Sequence, residues 1–425
     1  MKNRVVVTGL GVCAPNGVGL SGFETAMTKG ISGISFHEQL KKLIFSCQIA
    51  GKPNIEDVDL NNYFTKVQLK GLDASGLVYG VMAGKDAWRD AGLHTPDTDG
   101  DPDWDTGVIF GTGILGVDKF RDAIYKVDAG DVRRLGSTAV IQTMASGISA
   151  FLGGILAAGN LVTTNSSACT TGTEAILMGY ERIRSGQAVR MLVGSCSDSG
   201  PYVWGGFDAM RILPRNYNDD PTSASRPMSA SASGFVPGSG AGALVLESLE
   251  SALARGATIY GEILGGNSNS GGQRSGGSMT APNSMAVQRC IRAAMANANI
   301  LPEAIDTING HLTATTKDPA EIQNWSQALG LKGEDFPMIN SFKGHFGHCL
   351  AAAGSIECVA VLLQLKNQRL YGNLNCNDIH PDILNTIAET RIPKKTMDYP
   401  IKISAKASFG FGDVNACIIF SRYTS

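Results

Sequence analysis

NSSACTTGTEAI, residues 165–176, sets one cysteine among small polar residues immediately ahead of a helical run. Ala175, Ile176, Leu177, Met178, Tyr180 and Ile183 make the run over 174–184 apolar on most sides, which predicts a buried helix. Arg182 and Arg184 lie in its last turn, and Ser185-Gly186 stops it. A thiol reacts as its thiolate, and a helix N-terminus favours that anion through its dipole and free N–H groups. Cys169 is therefore expected at a sharp strand-to-helix turn with its thiol pKa lowered. A cysteine alone settles nothing, because most are small buried side chains.

Outward from that turn, short apolar runs alternate with helical stretches. Strands are expected at 4–8, 107–110, 189–194, 241–247, 259–264 and 416–420, and helices at 284–298, 319–329 and 349–366. Such alternation builds α/β layers around sheets covered on both faces. The chain divides near residue 255, so that 1–255 and 256–425 each hold a sheet. The Gly/Ser/Asn-rich stretch 265–283 follows a strand and reads as a long functional loop.

Composition narrows the function. Across 425 residues, 36 basic side chains face 38 acidic ones, a net charge of -2 that argues against a general nucleic-acid binder. With only 17% charged residues, part of the surface is expected to close a subunit interface. Nine cysteines without a CxxC pair fit a reduced, cytoplasmic compartment. MKNRVVVTGLGVCAP reads as a strand and turn rather than a signal peptide. No run approaches the ~20 apolar residues that cross a bilayer, so no membrane partner is expected.

Two histidines stand in telling places. His311 closes an apolar run in INGHLTATTKDPAE, followed by Thr313, Thr315, Asp318 and Glu321. His348 stands where Gly344 and Gly347 lead into a long apolar helix, and a helix N-terminus disfavours imidazolium. A neutral imidazole can donate an N–H to a carbonyl oxygen that gains negative charge. His345 and His348 are three apart but lack a third ligand at metal spacing, so neither a metal nor another cofactor is expected.

Six motifs, in order, resemble those of the β-ketoacyl-acyl carrier protein synthases, the elongating ketosynthases of type II fatty acid synthesis. RVVVTGLGVCAPNG is similar to the family's first strand and turn, and SSACTTG to its nucleophile motif. SASRPMSASASGFVPGSGAGALVLE, NGHLTATTKDPAE, KGHFGHCLAAAGSIE and SFGFGDVNA resemble its later motifs. The resemblance implies a thiolase-like fold, five αβαβα layers from two duplicated halves. It implies decarboxylative Claisen condensation of an acyl-enzyme with malonyl-acyl carrier protein, in fatty acid or related polyketide or polyene elongation. It also implies a homodimer, or a heterodimer with a second ketosynthase-like chain.

By the same resemblance Cys169, His311 and His348 form the catalytic set, with Lys343 orienting the histidines and Glu321 as its partner beside Asp318. Phe409 becomes the gate, its N–H and that of Cys169 the oxyanion donors, on a loop through Gly410, Phe411 and Asp413. Thr313 and Thr315 meet the pantetheine arm. Three departures stand out: Leu312 and Asp413 replace glycines, and TATTKDPAE is one residue short.

The residues themselves add further expectations. GTGILG, 111–116, matches GxGxxG, yet Asp128 follows Gly116 too closely for a dinucleotide fold. Its glycines read instead as a tight loop at the acyl pocket, with Ile114 limiting chain length. An acidic carrier needs a local basic patch, for which Lys66, Lys70, Arg133, Arg134 and Arg211 are candidates. Two alternatives are a catalytically silent partner subunit, which lacks the nucleophile, and a thiolase, which uses a second cysteine as base; Cys417 lies in an apolar strand.

Overall fold

In the computed structural model, which describes residues 3–97 and 99–424, the apolar runs become ten strands in one hydrogen-bonded row. The first five are β1 (Val5–Ala14), β2 (Thr106–Thr112), β3 (Val162–Thr163), β4 (Arg190–Ser197) and β5 (Gly240–Ser248). The second five are β6 (Gly261–Ser270), β7 (Thr307–Asn309), β8 (Met338–Asn340), β9 (Ile403–Gly410) and β10 (Val414–Ser421). Their spatial order is β8-β7-β9-β10-β6-β1-β5-β4-β2-β3. Each set of five therefore repeats one pattern about the β1–β6 junction. Its third, second and fourth strands run parallel, and its fourth, fifth and first alternate antiparallel. The sets join where Val5–Val7 pair antiparallel with Gly261–Ile263.

Strand alternation sorts the core into layers. Val5, Val7, Leu244, Leu246, Ile418 and Phe420 point to one apolar cluster, while Ala243, Val245, Cys417 and Ile419 point to clusters on the opposite faces. Eight helices matter to the layering and the site: α1 (Ser75–Asp90), α2 (Val117–Asp128), α3 (Ala139–Thr143), α4 (Gly147–Ile155), α5 (Thr171–Arg184), α6 (Ser284–Ala298), α7 (Asp318–Leu329) and α8 (Ala353–Asn367). Helices α5 and α8 lie between the two sets, α1 and α4 cover the first, and α6 and α7 cover the second. The result is the αβαβα stack. The stretch Leu350–Asn367 is apolar and long enough to cross a membrane, yet 83% of it is buried as the central helix of the core.

Three local expectations change. The Gly/Ser/Asn-rich stretch begins as strand, because β6 keeps its ladder with β10 through Ser270. Packing overrides poor strand propensity there: a Cβ on Gly266 would sit 2.3 Å from the Leu177 side chain of α5. The irregular loop runs only from 271 to 283. Lys66 and Lys70, four apart and expected to face alike if helical, stand in turns instead. Met178, 41% exposed, leaves one side of α5 open.

Candidate active site

Cys169 occupies the single 3₁₀ turn Ala168–Thr170 directly ahead of α5. Ala168 takes φ +49°, which bends the chain sharply before the helix. The Thr171 hydroxyl fixes the bend, accepting from the Ser167 N–H at 2.8 Å and donating to the Ala168 carbonyl at 2.7 Å. The Ser167 hydroxyl donates to the Glu174 carboxylate. The Cys169 sulfur and a ring nitrogen from each of His311 and His348 lie within 4.8 Å of one another.

Two carboxylates shape the loop that presents His311. Glu321 accepts the backbone N–H groups of His311 and Leu312 at 2.6 and 2.7 Å. Asp318 accepts those of Met228, Thr313 and Ala314. Burial pushes Glu321 up to about 7 and Asp318 up to about 6, against the pull of these donors. Both act on the backbone, and Lys343 is paired elsewhere. Leu312, at φ +21°, carries its side chain into the outer core beyond the second set of strands.

The tautomer of His348 is set by its surroundings. The Leu350 N–H donates to Nδ1 at 3.1 Å, leaving the ring proton on Nε2. The His311 and His348 rings stand edge to face, centroids 5.3 Å apart. Burial first, then Lys343, holds both imidazoles well below their usual pKa. Both are neutral donors.

The expected low thiol pKa is overturned. Burial pushes Cys169 up to about 11, although Lys343 and the N–H groups of Phe411 and Cys169 pull it down. The resting sulfur is a thiol because the helix end lies inside the protein, where desolvation of an anion outweighs the dipole. Three ligand-type atoms so close together could surround an ion. A protonated thiol and two lysines behind the histidines oppose a divalent cation there.

The two phenylalanines of SFGFG are placed differently. Phe409 belongs to β9, where it pairs with Asn415, is 7% exposed and packs in the outer core 6.1 Å from His311. Phe411 stands beyond the strand end, its N–H directed at the Cys169 sulfur and its ring 6.3 Å from Phe207. The backbone donor at the sulfur is therefore that of Phe411, which is half-buried, and not that of Phe409. Gly410 permits the approach, since a Cβ there would lie 3.1 Å from the Cys169 nitrogen. Asp413, buried at φ +61°, accepts the N–H groups of Gln273 and Asn283 at 3.0 and 2.7 Å. It ties the gate to the 271–283 loop.

A cavity of about 860 Å³ opens before the three residues. Thr313 and Thr315 line it with hydroxyls 3.2 Å apart, and Thr280 to Pro282 close one side. Ile114 is on its wall but 56% exposed. Lys66, Lys70, Arg133, Arg134 and Arg211 are all exposed. Of these, Arg211 sits between the cavity residues Met210 and Ile212, while Arg134 is engaged with Asp131. Exposed Lys317 lines the cavity and escaped the sequence reading. So did Glu357, whose carboxylate takes Lys343 Nζ at 2.5 Å and lies 2.7 Å from Lys406 Nζ. The glutamate closing KGHFGHCLAAAGSIE was its signal. Cys417 is buried, its thiol held well above the usual range, and is no base.

Residues 2–252 match the β-ketoacyl synthase N-terminal domain and residues 260–377 its C-terminal domain. The 3-oxoacyl-acyl-carrier-protein synthase 2 of Vibrio harveyi is 32% identical over 428 residues, spanning 99% of each chain. A type II polyketide ketosynthase, solved with its acyl-carrier protein and bound to a hexaketide, superposes with TM-score 0.86 at 28% identity over 100% of both chains. The ishigamide ketosynthase/chain length factor gives TM-score 0.87 at 26% identity, again over 100% of both chains. With the nucleophile turn, the paired neutral imidazoles and the duplicated strand order already in place, these likenesses make the chain a member of the β-ketoacyl synthase family of acyltransferases.

Proposed function

We propose that the chain condenses an acyl group held on Cys169 with malonyl-acyl carrier protein, releasing CO2 and 3-oxoacyl-acyl carrier protein. The observation carrying this reading is the neutral His348, its Nδ1 occupied and its Nε2–H free, beside His311 and the sulfur. In the first half-reaction Cys169 Sγ attacks the acyl thioester and its proton passes through a neighbouring neutral imidazole to the departing carrier thiolate. The malonyl carboxylate then leaves as CO2. Its bonding pair becomes an enolate whose oxygen accepts N–H bonds from His311 and His348. The enolate carbon attacks the acyl-cysteine, and the N–H groups of Cys169 and Phe411 receive the oxyanion. Collapse expels the Cys169 thiolate, which recovers a proton.

Thr313 and Thr315 suit the amides of the carrier's arm, and exposed Arg211 and Lys317 suit an acidic carrier at the mouth. Nine free thiols suit a reduced cytoplasm. The repeated strand order supports two halves, 1–255 and 256–425. Phe120, Ile124 and Tyr125 on α2 with Val140 and Ile141 on α3 form an exposed apolar patch that supports a dimer. The ketosynthase/chain length factor neighbour favours a second reading, a heterodimer serving polyketide or polyene synthesis.

Malonyl carrier should release CO2 when incubated with the protein, and acyl carrier should add one acyl mass to Cys169. Cys169→Ala should lose the adduct and condensation entirely. An acyl adduct persisting on another cysteine, or wild-type protein that releases no CO2, refutes the reading.

A further inference from the structure

Glu357 stands in the second turn of α8, fully buried, with a lysine at each oxygen. Oε1 takes Lys343 Nζ at 2.5 Å, and Oε2 lies 2.7 Å from Lys406 Nζ. Lys406 comes from the middle of β9 and also donates to the Ala407 carbonyl at 2.6 Å and the Ser408 hydroxyl at 2.7 Å. Ser408 Oγ is 3.0 Å from Thr173 Oγ1, in the first turn of the helix that follows Cys169. Lys406 thus sits on the strand leading to Phe411 and is linked through Ser408 to the nucleophile's helix. None of Lys343, Glu357 and Lys406 lines the cavity; they lie behind its wall.

One carboxylate balances one ammonium. Among the described residues neither lysine has a second acidic partner, so the cluster stores one surplus positive charge where burying charge is costly. Such a cost is retained when negative charge arrives during the reaction. We propose that Lys406 is a positioning residue for decarboxylation: sharing Glu357 with Lys343, it leaves one surplus positive charge behind His311 and His348, where it favours the enolate that forms before them.

The groups around the imidazoles are few. Cys169 faces them from the 3₁₀ turn, Asp318 and Glu321 from α7, Lys343 from the one-turn helix Lys343–Phe346, Glu357 from α8 and Lys406 from β9. Asp318 and Glu321 are held by backbone N–H groups. Burial lowers both imidazoles most; Lys343 and Lys406 add to that, in the same direction.

This inference rests on the roles proposed for His311 and His348, so its test reads the imidazoles directly as well as the reaction. Lys406→Met removes the surplus charge and keeps the side chain's length. In the acid range, histidine-selective NMR should show the His311 and His348 signals titrating at a pH higher than wild type by about 0.5 to 1 unit. The acid limb of malonyl decarboxylation should move up equally, with activity recovered at alkaline pH. The double variant Lys406→Met/Glu357→Gln again carries one surplus charge and should return both readouts to the wild-type position. A pH-independent loss in Lys406→Met, or unmoved imidazole titrations, overturns the proposal. Should the single variant not fold, a double variant with a displaced acid limb overturns it too, and an unmoved limb upholds it. Wild-type protein that releases no CO2 while its imidazoles respond as stated would instead count against the proposed reaction.

Discussion

Cys169, His311 and His348 meet because three local devices aim them: the Ala168 bend, the Glu321 clamp on the His311 backbone, and the Leu350 N–H on His348 Nδ1. The last device gives the sharpest prediction at this scale. His348→Ala removes one donor to a developing oxyanion, which costs on the order of 10²- to 10³-fold. Decarboxylation of malonyl carrier should fall by that factor, while acyl loading of Cys169, measured by intact mass, falls far less because the nucleophile and the N–H groups of Cys169 and Phe411 remain. A variant that loads poorly but decarboxylates normally has the roles reversed. The three residues could be read from sequence because each sits beside a glycine- or threonine-rich turn that admits few alternatives. The thiol's protonation could not, because the dipole is local and legible whereas desolvation depends on everything that packs around the turn. Lys406 was hidden for a similar reason: within ISAKASFG a lysine looks like an outward residue, and only the stacking of α8 against β9 turns it inward.

At the scale of elements, the turn at Gly412–Asp413, on the proposed gate, is bonded to the 271–283 loop as one unit. The Asp413 carboxylate takes the Gln273 and Asn283 N–H groups, its carbonyl takes the Gly271 N–H, and the Gly412 N–H reaches the Met279 carbonyl. Asp413→Gly relieves a left-handed aspartate, worth about 1 kcal/mol. It also strands two N–H groups, at about 1 to 3 kcal/mol each if they stay buried. The protein should therefore melt a few degrees lower, with faster amide exchange across 271–283 and a broader acyl preference in initial-rate comparisons, while CO2 release is little altered. Unchanged preference together with unchanged exchange would show that the gate does not depend on this tie. Composition pointed to a long functional loop here, and part of it does close the cavity. Its first six residues are strand instead, because the ladder to β10 and the close approach of α5 reward glycine where propensity alone disfavours it. The N–H directed at the sulfur was expected two residues early for a related reason. A strand's end is set by its partner, so sequence alone could not show that Phe409 still pairs with Asn415 while Phe411 has left the sheet.

The whole molecule repeats one strand order twice, which leaves β8 and β3 as the two ends of a single row. Residues Met338–Asn340 of β8 are buried, whereas Val162 of β3 is exposed, so among the described residues the β3 end is the more open edge of the row. Helix α4 packs on β3, α3 on α4, and α2 on α3. The exposed apolar side chains of α2 and α3 thus continue the same face. An edge strand flanked by apolar helices is a surface that water does not favour, and a second ketosynthase chain is the partner proposed for it. The Gly113–Ile114 loop leads into α2, so pairing there would also close the wall that Ile114 leaves open. Light scattering should give twice the 44.6 kDa chain mass for a homodimer. Val140→Asp/Ile141→Asp should halve that mass and reduce condensation at least about tenfold, because two buried charges in an interface cost several kcal/mol. Ile114→Ala should shift preference toward longer acyl chains in the dimer and have no such effect in the Val140→Asp/Ile141→Asp background. A wild-type protein that is monomeric and fully active, or an Ile114→Ala shift that survives in the monomer, would place the chain-length wall within one chain and leave the apolar face without this role.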